Sequence, residues 1–339
     1  FSIDTLNPTV VVNIVDSQLN DDDSSSLVTF EFSEDVTGFD ANDLTSVNGV
    51  ISGFTASGGD IYEATFTADD GLDGIGSVTV GADYTDAAGN TGSGDSDSLN
   101  IDTENPTATV DLAATSLSDS SNSTALTITF TEVPTGFDAG ADLTVTGGVL
   151  GTGGFDASNK VWTATYTAND GINDVGSVVL ASGSYTDAEG NDGSGDSDSV
   201  TVDTEKPTVD VNIVENELTD ADDTSLVTFE FSEAVIGFDA SDLSLVGGSI
   251  SSFTVIDANS YTALFTASDD VALIGPVTVN AGYEDLNGNA GLSGSDNVVI
   301  DRVNPAVVSV VRANADYTNA ASVDFIVTFS ENVTGVDID

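Results

Sequence analysis

The chain contains no cysteine and no histidine. Without cysteine it can form neither a disulfide framework nor a thiolate metal site. Without histidine it lacks both the most common general base and the most common transition-metal ligand. No stretch approaches the roughly 18 consecutive apolar residues of a membrane-spanning helix, so we expect no direct insertion into a membrane.

Basic residues are almost as scarce. Four Lys and Arg residues stand against 58 Asp and Glu residues, which gives a formal net charge of −54. Nucleic acids and anionic membranes are therefore excluded as direct partners, because binding either of them needs Lys and Arg to neutralise phosphate. An acidic excess often indicates disorder, but 39% of the residues are hydrophobic and they are spread evenly, so the chain can bury cores.

One short phrase recurs along the chain and reveals an internal repeat. It is written IDTLNP, IDTENP, VDTEKP and IDRVNP at 3–8, 101–106, 202–207 and 300–305, and the phrases FEFSEDVTGFD and YTDAAGN return in step with it. The period suits a small domain rather than a solenoid coil. We therefore predict the end of a preceding repeat at 1–5, repeats 1, 2 and 3 at 6–102, 103–203 and 204–301, and the incomplete start of a fourth repeat at 302–339.

Within each repeat, apolar and polar residues alternate with the period of a β-strand. Val28, Phe30 and Phe32 alternate with Thr29 and Glu31, and Gly, Asn and Asp separate such runs. About seven short strands in each repeat are typical of an antiparallel sandwich. We predict an all-β chain of tandem immunoglobulin-like Greek-key β-sandwiches in a linear array, with no helices of note.

Greek-key order, with strands named A to G, brings carboxylates from three sources to each junction between repeats. These sources are the acid that follows strand E of one repeat, the linker Asp, and the acids that follow strand B or lie in the B–C and F–G loops of the next repeat. The candidate ligands are Asp4, Glu34, Asp40 and Asp86 before repeat 1; Asp70, Asp102, Glu132, Asp138 and Asp187 at junction one; Asp170, Asp203, Glu233, Asp239 and Asp285 at junction two; and Asp269, Asp301 and Glu331 at junction three. Further candidates at the same poles are Asp43, Asp142 and Asp242, the A–B loop acids Asp21, Asp119 and Asp220, and the F–G loop amides Asn90, Asn191 and Asn289.

Such acids have a simpler interpretation as turn formers and solvated strand ends, because Asp, Asn and Gly suit turns intrinsically. Their convergence at a pole favours a metal-binding role instead. Two carboxylates roughly 5 Å apart repel by about 3 kcal/mol at an effective dielectric of 20, so several together must protonate or share a cation. Oxygen ligands without His or Cys favour Ca²⁺, with Mg²⁺ second because it demands a tight octahedron. We expect several calcium ions, mainly at the junctions.

At these residues the phrasing DTxxPT…FSExVTGFDxxDL…YTDAAGN resembles the bacterial immunoglobulin-like extender repeats of giant RTX adhesins, over essentially the whole chain. The resemblance implies calcium at the linkers of a monomeric rod whose partners are neighbouring repeats of the same chain. It also implies type I secretion to the bacterial cell surface, where the rod projects a distal ligand-binding region for attachment or biofilm formation. Repeat 3 departs from the pattern, with Tyr283-Glu-Asp for Tyr-Thr-Asp and only Asp296 left of the DSDS pair.

Two other functions compete with a spacer. Paired carboxylates occur in glycosidases, but here they recur in every repeat, without a cleft and with few aromatic residues to hold a sugar, so we predict no enzyme. Alternatively, the repeats themselves bind a glycan, ice or a host protein. One repeat with sharply different loops would favour that alternative, whereas near copies of the loops favour a spacer.

Overall fold

The structure is a computed structural model that describes residues 3–313 and 321–337. The regular secondary structure of these residues is almost entirely β-strand, and the helical segments among them are single turns at Ala41–Asp43, Ala139–Asp142 and Ala240–Asp242. The predicted fold class, tandem immunoglobulin-like sandwiches, is confirmed. None of the described helices is long and apolar enough to cross a bilayer.

The strands follow the repeats closely. Repeat 1 contains β1 (Val10–Ile14), β2 (Gln18–Leu19), β3 (Ser25–Phe32), β4 (Val36–Thr37), β5 (Leu44–Val47), β6 (Gly49–Ala56), β7 (Ile61–Ala68), β8 (Asp73–Val80), β9 (Thr85–Asp86) and β10 (Asp95–Asp102). Repeat 2 contains β11 (Ala108–Leu112), β12 (Ser116–Ser118), β13 (Ser123–Phe130), β14 (Leu143–Thr146), β15 (Gly148–Leu150), β16 (Gly154–Phe155), β17 (Val161–Ala168), β18 (Asn173–Leu180) and β19 (Asp196–Asp203). Repeat 3 contains β20 (Val209–Ile213), β21 (Glu217–Leu218), β22 (Thr224–Phe231), β23 (Val235–Ile236), β24 (Leu243–Leu245), β25 (Gly248–Val255), β26 (Ser260–Ala267), β27 (Ala272–Val279), β28 (Glu284–Asp285) and β29 (Gly294–Asp301), and β30 (Val307–Arg312) pairs with β31 (Phe325–Phe329) beyond it.

Each repeat is built from two sheets in the strand order of an immunoglobulin-like sandwich. In repeat 1 the orders are β1-β3-β7-β6 and β2-β10-β8-β5, and the other repeats follow the same pattern with β11-β13-β17-β15, β12-β19-β18-β14, β20-β22-β26-β25 and β21-β29-β27-β24. The A–B loop is therefore 20–24 in repeat 1 and 119–122 in repeat 2, and the F–G loop is 81–94, 181–195 and 280–293 in the three repeats. This order places the end of β3, the F–G loop and the incoming linker at one pole.

The inward face of the long strand β3 is apolar from Val28 to Phe32. Along β3 the burial alternates strictly, and Val28 and Phe30 are completely buried. Phe32 packs edge-on against Phe39 with ring centroids 4.8 Å apart, a favoured geometry for aromatic pairs. Because the side-chain period of a strand is two, this alternation fixes the register and sends Thr29 to the outer surface.

Internal contacts divide the chain into two units. Unit 1 comprises Phe1–Leu117 and Asn122–Val202, and unit 2 comprises Ser118–Ser121 and Asp203–Asp339. Repeat 1 and most of repeat 2 thus lie in unit 1. The segment Ser118–Ser121, which contains most of the A–B loop of repeat 2, packs instead within unit 2, beside repeat 3.

A buried tyrosine ties each F–G loop to the linker. The Tyr185 hydroxyl lies 3.3 Å from the carbonyl oxygen of Pro106 and 3.1 Å from that of Ser194. Tyr84 and Tyr283 reach the corresponding carbonyls of Pro8 and Ser93 and of Pro207 and Leu292. Burial raises the pKa of Tyr283 to about 12, so its hydroxyl stays a donor at neutral pH. The proline of the recurring phrase is therefore held against the pole by its carbonyl group.

The aspartates of the DSDS motif connect the two sheets of each repeat by hydrogen bonds. Asp196 and Asp198 extend from β19 and accept hydrogen bonds at 2.8 and 2.7 Å from the backbone N–H groups of Val110 and Leu112 on the edge strand β11. In repeat 1, Asp95 and Asp97 do the same for Val12 and Ile14, and in repeat 3 Asp296 serves Ile213. An edge strand would otherwise leave these donors unpaired, so the alternate spacing of these acids is a structural device.

This contact predicts a specific loss of stability. Asp198→Ala removes the acceptor for the Leu112 N–H, and an unsatisfied buried donor costs about 1–3 kcal/mol. The single tryptophan, Trp162, is buried in repeat 2, so its fluorescence during urea unfolding reports on this repeat alone. Asp111→Ala is the matched control, because Asp111 lies exposed on β11. Equal unfolding midpoints for the two variants would contradict this role.

Candidate metal centre

Three groups of carboxylates meet at the poles of the repeats, and each consists of the linker Asp, the Glu that follows the second long strand, and the F–G loop Asp. We call these groups acid triads. They are Asp4, Glu34 and Asp86; Asp102, Glu132 and Asp187; and Asp203, Glu233 and Asp285. In each triad, one oxygen from every member lies within 4.8 Å of the others. The structure thus brings together the three acid types that the sequence placed at one pole.

The strand order explains how the second triad assembles. Asp102 is the last residue of β10, and the linker carries it directly to the pole of repeat 2. Glu132 lies two residues beyond the end of β13, and Asp187 lies in the F–G loop between β18 and β19. Since β13 and the F–G loop reach the same pole, the three carboxylates converge although they are distant in sequence.

The F–G loop Asp is buried and held by backbone donors. Asp187 is only 1% exposed. Its Oδ1 accepts hydrogen bonds from the backbone N–H groups of Glu189, Gly190 and Asn191 at 2.7–2.9 Å. Gly190 has a φ of +100°, a conformation that favours glycine. The Asp and Gly-Asn residues of this motif therefore form a tight turn that fixes one carboxylate at the pole.

In the second and third triads, burial and the neighbouring acids raise the pKa of the Glu. Burial raises the pKa of Glu132, and the charges of Asp187 and Asp102 raise it further, while Lys160 partly opposes them. Burial likewise raises the pKa of Glu233, followed by the charges of Asp285 and Asp203. Half-buried carboxylates that repel one another destabilise the fold when no cation is bound. The same carboxylate oxygens are suitable ligands for a hard cation.

A family model for the bacterial Ig-like domain matches the chain three times, at residues 4–103, 102–202 and 203–300. The chain belongs to this family. The matched segments begin at the linker residues Asp4, Asp102 and Asp203, and the predicted repeats are 6–102, 103–203 and 204–301.

Several solved structures are similar to this chain of bacterial Ig-like repeats. Invasin, described as a bacterial integrin-binding protein, is 14% identical with a TM-score of 0.32, and the match covers 96% of this chain and 68% of invasin. InvD of Yersinia pseudotuberculosis is 14% identical with a TM-score of 0.31, covering 87% and 98%. The endo-fucoidan hydrolase MfFcnA4 is 12% identical with a TM-score of 0.21, covering 82% and 42%. No curated protein sequence gave a significant match.

In all three bacterial Ig-like repeats of this chain, the B–C loop acids accept hydrogen bonds from backbone N–H groups of their own loop and so cap short helical turns. Asp40 accepts from the N–H of Asn42, while Asp43 accepts from the N–H of Asp40. Asp239 and Asp242 form the same reciprocal box, and Asp138 pairs similarly with Gly140 and Asp142. These six acids do not join the triads among the described residues. The D-x-x-D spacing in repeats 1 and 3 resembles a capping box and was the available sequence signal, whereas Asp138 and Asp142 are four residues apart.

The acids predicted from the opposite pole, and the linker Asp and strand-end Glu predicted at junction three, also lie outside the triads. Asp70 and Asp170 are exposed, as are Asp301 and Glu331, and none of the four joins a group of three in the described part of the chain. Among the A–B loop acids, Asp119 forms an ion pair with Lys206 at 3.3 Å, whereas Asp21 uses its backbone N–H rather than its carboxylate to reach repeat 2.

At the far pole of repeat 3 an arginine supplies the positive charge. Arg302, which stands where the other linkers have Thr103 and Thr204, lies 3.2 Å from Asp220 and 3.6 Å from both Asp223 and Asp269. Its side chain is only 13% exposed, and it also donates to the carbonyl of Ala267 at 2.7 Å. Two predicted ligands, Asp220 and Asp269, therefore face a guanidinium. The sequence contained the signal, since Arg302 is one of only four basic residues.

The raised pKa of Glu132 gives a pH prediction. Its pKa is higher in the folded state than the ordinary value of 4.5, so between these two pKa values the folded state binds a proton more readily than the unfolded chain. Stability therefore falls as the pH rises from the lower pKa to the higher one. In chelator, we expect the melting temperature of repeat 2, followed by Trp162 fluorescence, to increase as the pH is lowered from 7 towards 5. Glu132→Gln should reduce this increase, and an identical pH dependence in both proteins would refute the assignment.

Proposed function

We propose that this chain is a spacer segment of a bacterial surface adhesin, and that calcium at the junctions stiffens it. The observation that carries the proposal is the recurrence of one acid triad at three linkers of the same chain. A single acidic cluster is common on protein surfaces, but the same three positions meeting three times indicates a property of the junction. The finer proposal of an RTX adhesin exported by type I secretion rests on the phrasing of the sequence.

The residues present fit a calcium ion. Each triad offers only carboxylate oxygens as ligands. One member is anchored by backbone donors, and the other members lie close enough to it to bind the same cation. Asp102, Glu132 and Asp187 would hold the ion at junction one. A bound divalent cation would neutralise their mutual repulsion, and extracellular modules typically bind calcium with dissociation constants of about 10⁻⁴–10⁻³ M.

The linker is restrained by hydrogen bonds to the repeat before it and to the repeat after it. A spacer needs such restraint to keep neighbouring repeats in line. The Pro106 carbonyl meets the Tyr185 hydroxyl, and Thr103 donates to the carbonyl of Asp69 at 2.9 Å. The carboxylates at the junction oppose this arrangement by their mutual repulsion. Removing their repulsion would therefore convert a restrained linker into a stiff one. The remaining proposals are that the chain acts extracellularly as a monomer and catalyses no reaction.

The test is small-angle X-ray scattering of the full chain together with thermal unfolding, in calcium, in magnesium and in chelator. We expect a larger maximum dimension and a higher melting temperature in calcium than in chelator, with magnesium less effective. A triple variant with Asp86, Asp187 and Asp285 each replaced by Asn should lose the calcium response. If neither the dimension nor the melting temperature of the unaltered protein changes with calcium, the calcium proposal is wrong.

A further inference from the structure

The F–G loop asparagine is buried at the pole and is hydrogen-bonded through both ends of its amide group. Asn191 is 1% exposed and Asn289 is fully buried. The Nδ2 of Asn191 donates to the backbone carbonyl of Asp102 at 2.9 Å and to Oδ2 of Asp187 at 2.7 Å. Its amide group thus faces the acid triad with its nitrogen, which donates hydrogen bonds and does not coordinate a metal.

The oxygen of the same amide points away from the triad, towards the preceding repeat. Asn191 Oδ1 accepts a hydrogen bond at 2.9 Å from the backbone N–H of Asp21, in the A–B loop of repeat 1. Asn20, the neighbour of Asp21, donates from Nδ2 to the carbonyl of Glu189 at 2.6 Å. One neutral side chain therefore joins three segments: the loop of one repeat, the linker, and the F–G loop of the next.

The same constellation occurs independently in unit 2. Asn289 Oδ1 accepts from the backbone N–H of Asp119 at 2.8 Å, and its Nδ2 donates to the carbonyl of Asp203 at 2.9 Å and to Asp285 at 2.7 Å. The donor is again the residue two positions after a leucine, here Leu117 of β12. Because the same atoms make the same contacts in two copies, the contact follows from the repeated sequence and is not an accident of one junction.

The first repeat provides an internal reference. Asn90 has the same place in the sequence motif and donates to Asp86 Oδ2 at 2.7 Å. It is only half-buried, and among the described residues its side-chain oxygen accepts no hydrogen bond. The burial of Asn191 and Asn289 therefore comes from the A–B loop seated on them and not from the F–G turn itself.

We infer that this asparagine is a metal-independent latch, which aligns two consecutive repeats by receiving the A–B loop of the preceding one. An amide suits this position because it donates on one side and accepts on the other, whereas an aspartate can only accept. The latch deepens the proposed spacer function, since it is a second contact that orients the junction. It also predicts that Asn90 is an acceptor for the A–B loop of a further repeat of the same family.

The test measures the separation of repeats 1 and 2 without calcium. The chain has no cysteine, so Ser96→Cys and Ser197→Cys, at exposed equivalent positions, allow two spin labels to be attached and their distance distribution to be measured by electron spin resonance. In chelator we expect one dominant distance. Asn191→Asp removes both donors and adds a charge beside Asp187, so the distribution should broaden at least two-fold. Asn90→Asp, the same change without a seated loop, should leave it unchanged.

Trp162 fluorescence will show whether repeat 2 of the Asn191→Asp protein remains folded. Should that repeat unfold, Asp21→Pro decides instead, because proline removes the donating N–H from repeat 1 and leaves repeat 2 intact. A distribution that stays as narrow as that of the unaltered protein in a folded latch variant overturns the inference, and so does a broad distribution in chelator before any substitution. Failure of the calcium proposal is read separately, as an unchanged distribution and melting temperature when calcium is added.

Discussion

Glu132→Gln is expected to abolish the stabilisation of repeat 2 by calcium while leaving its stability in chelator unchanged or higher. Glu132 is half-buried beside Asp102 and Asp187, which raise its pKa in addition to the effect of burial. The substitution retains the size of the side chain and removes the charge. It therefore relieves repulsion in the absence of a cation and removes a ligand in its presence.

Asp187→Asn, in the same triad, is expected to behave differently. Asp187 accepts three backbone hydrogen bonds and one from Asn191 Nδ2 at 2.7 Å. In the variant, an amide nitrogen would face the Asn191 amide nitrogen, so two donors would oppose each other. A buried donor without an acceptor costs about 1–3 kcal/mol. This protein should therefore lose both the calcium response and some of its stability in chelator.

The size of the calcium response can be bounded. With a dissociation constant of about 10⁻⁴–10⁻³ M, a calcium concentration of roughly 10 mM stabilises the folded state by about 1.4–2.7 kcal/mol. For a domain of this size that corresponds to roughly 6–20 °C in melting temperature. Thermal unfolding followed by Trp162 fluorescence, with and without calcium, measures it in repeat 2.

The control is Asp111→Asn, which removes one negative charge from an exposed position of the same repeat. It should retain the full calcium response. Were Glu132→Gln to retain that response as well, the second triad would not be the binding site. If Asp111→Asn lost it, general charge rather than the triad would explain the effect.

The sequence predicted the fold because the apolar alternation of each strand is uninterrupted, as along β3, and because the repeat shows every strand three times. It also predicted that the linker Asp, the strand-end Glu and the F–G loop Asp share a pole, since strand order alone brings them there. Asp102, Glu132 and Asp187 illustrate this. No local side-chain geometry was needed, only the direction in which each strand runs.

Topology could not distinguish an acid that points into the junction from one that turns back on its own loop. Asp40 and Asp138 reach the same pole as the triads but cap neighbouring N–H groups, because an Asp at a turn satisfies local donors first. The orientation of Asn191 was equally hidden, since it depends on a donor from another repeat. Nor could the sequence decide the role of Asp198, because an alternate spacing of acids suits both metal ligands and an edge strand.

The second large effect is expected for Gly193→Ala. A Cβ atom at Gly193 would overlap the ring of Tyr185, and Gly92 and Gly291 meet Tyr84 and Tyr283 in the same way. Tyr185 is 2% exposed and cannot move outward without losing its contacts with the Pro106 and Ser194 carbonyls. Overpacking a core costs about 1–3 kcal/mol, and the lost hydroxyl contacts add about 1 kcal/mol. We expect Gly193→Ala to destabilise repeat 2 by about 2–4 kcal/mol.

Urea unfolding followed by Trp162 fluorescence measures this loss, and Gly154→Ala is the control because a Cβ atom there meets no neighbour within 4 Å. The control should be neutral or slightly stabilising, since alanine restricts the unfolded chain. A double-mutant cycle identifies the cause. If overlap with the ring is responsible, Gly193→Ala should cost much less in a Tyr185→Leu background than in the unaltered protein, because the two sites are in contact and their effects do not add. Additive losses would instead mean that Gly193 is required for its backbone conformation, and that the tyrosine holds the linker proline without help from the glycine beneath it.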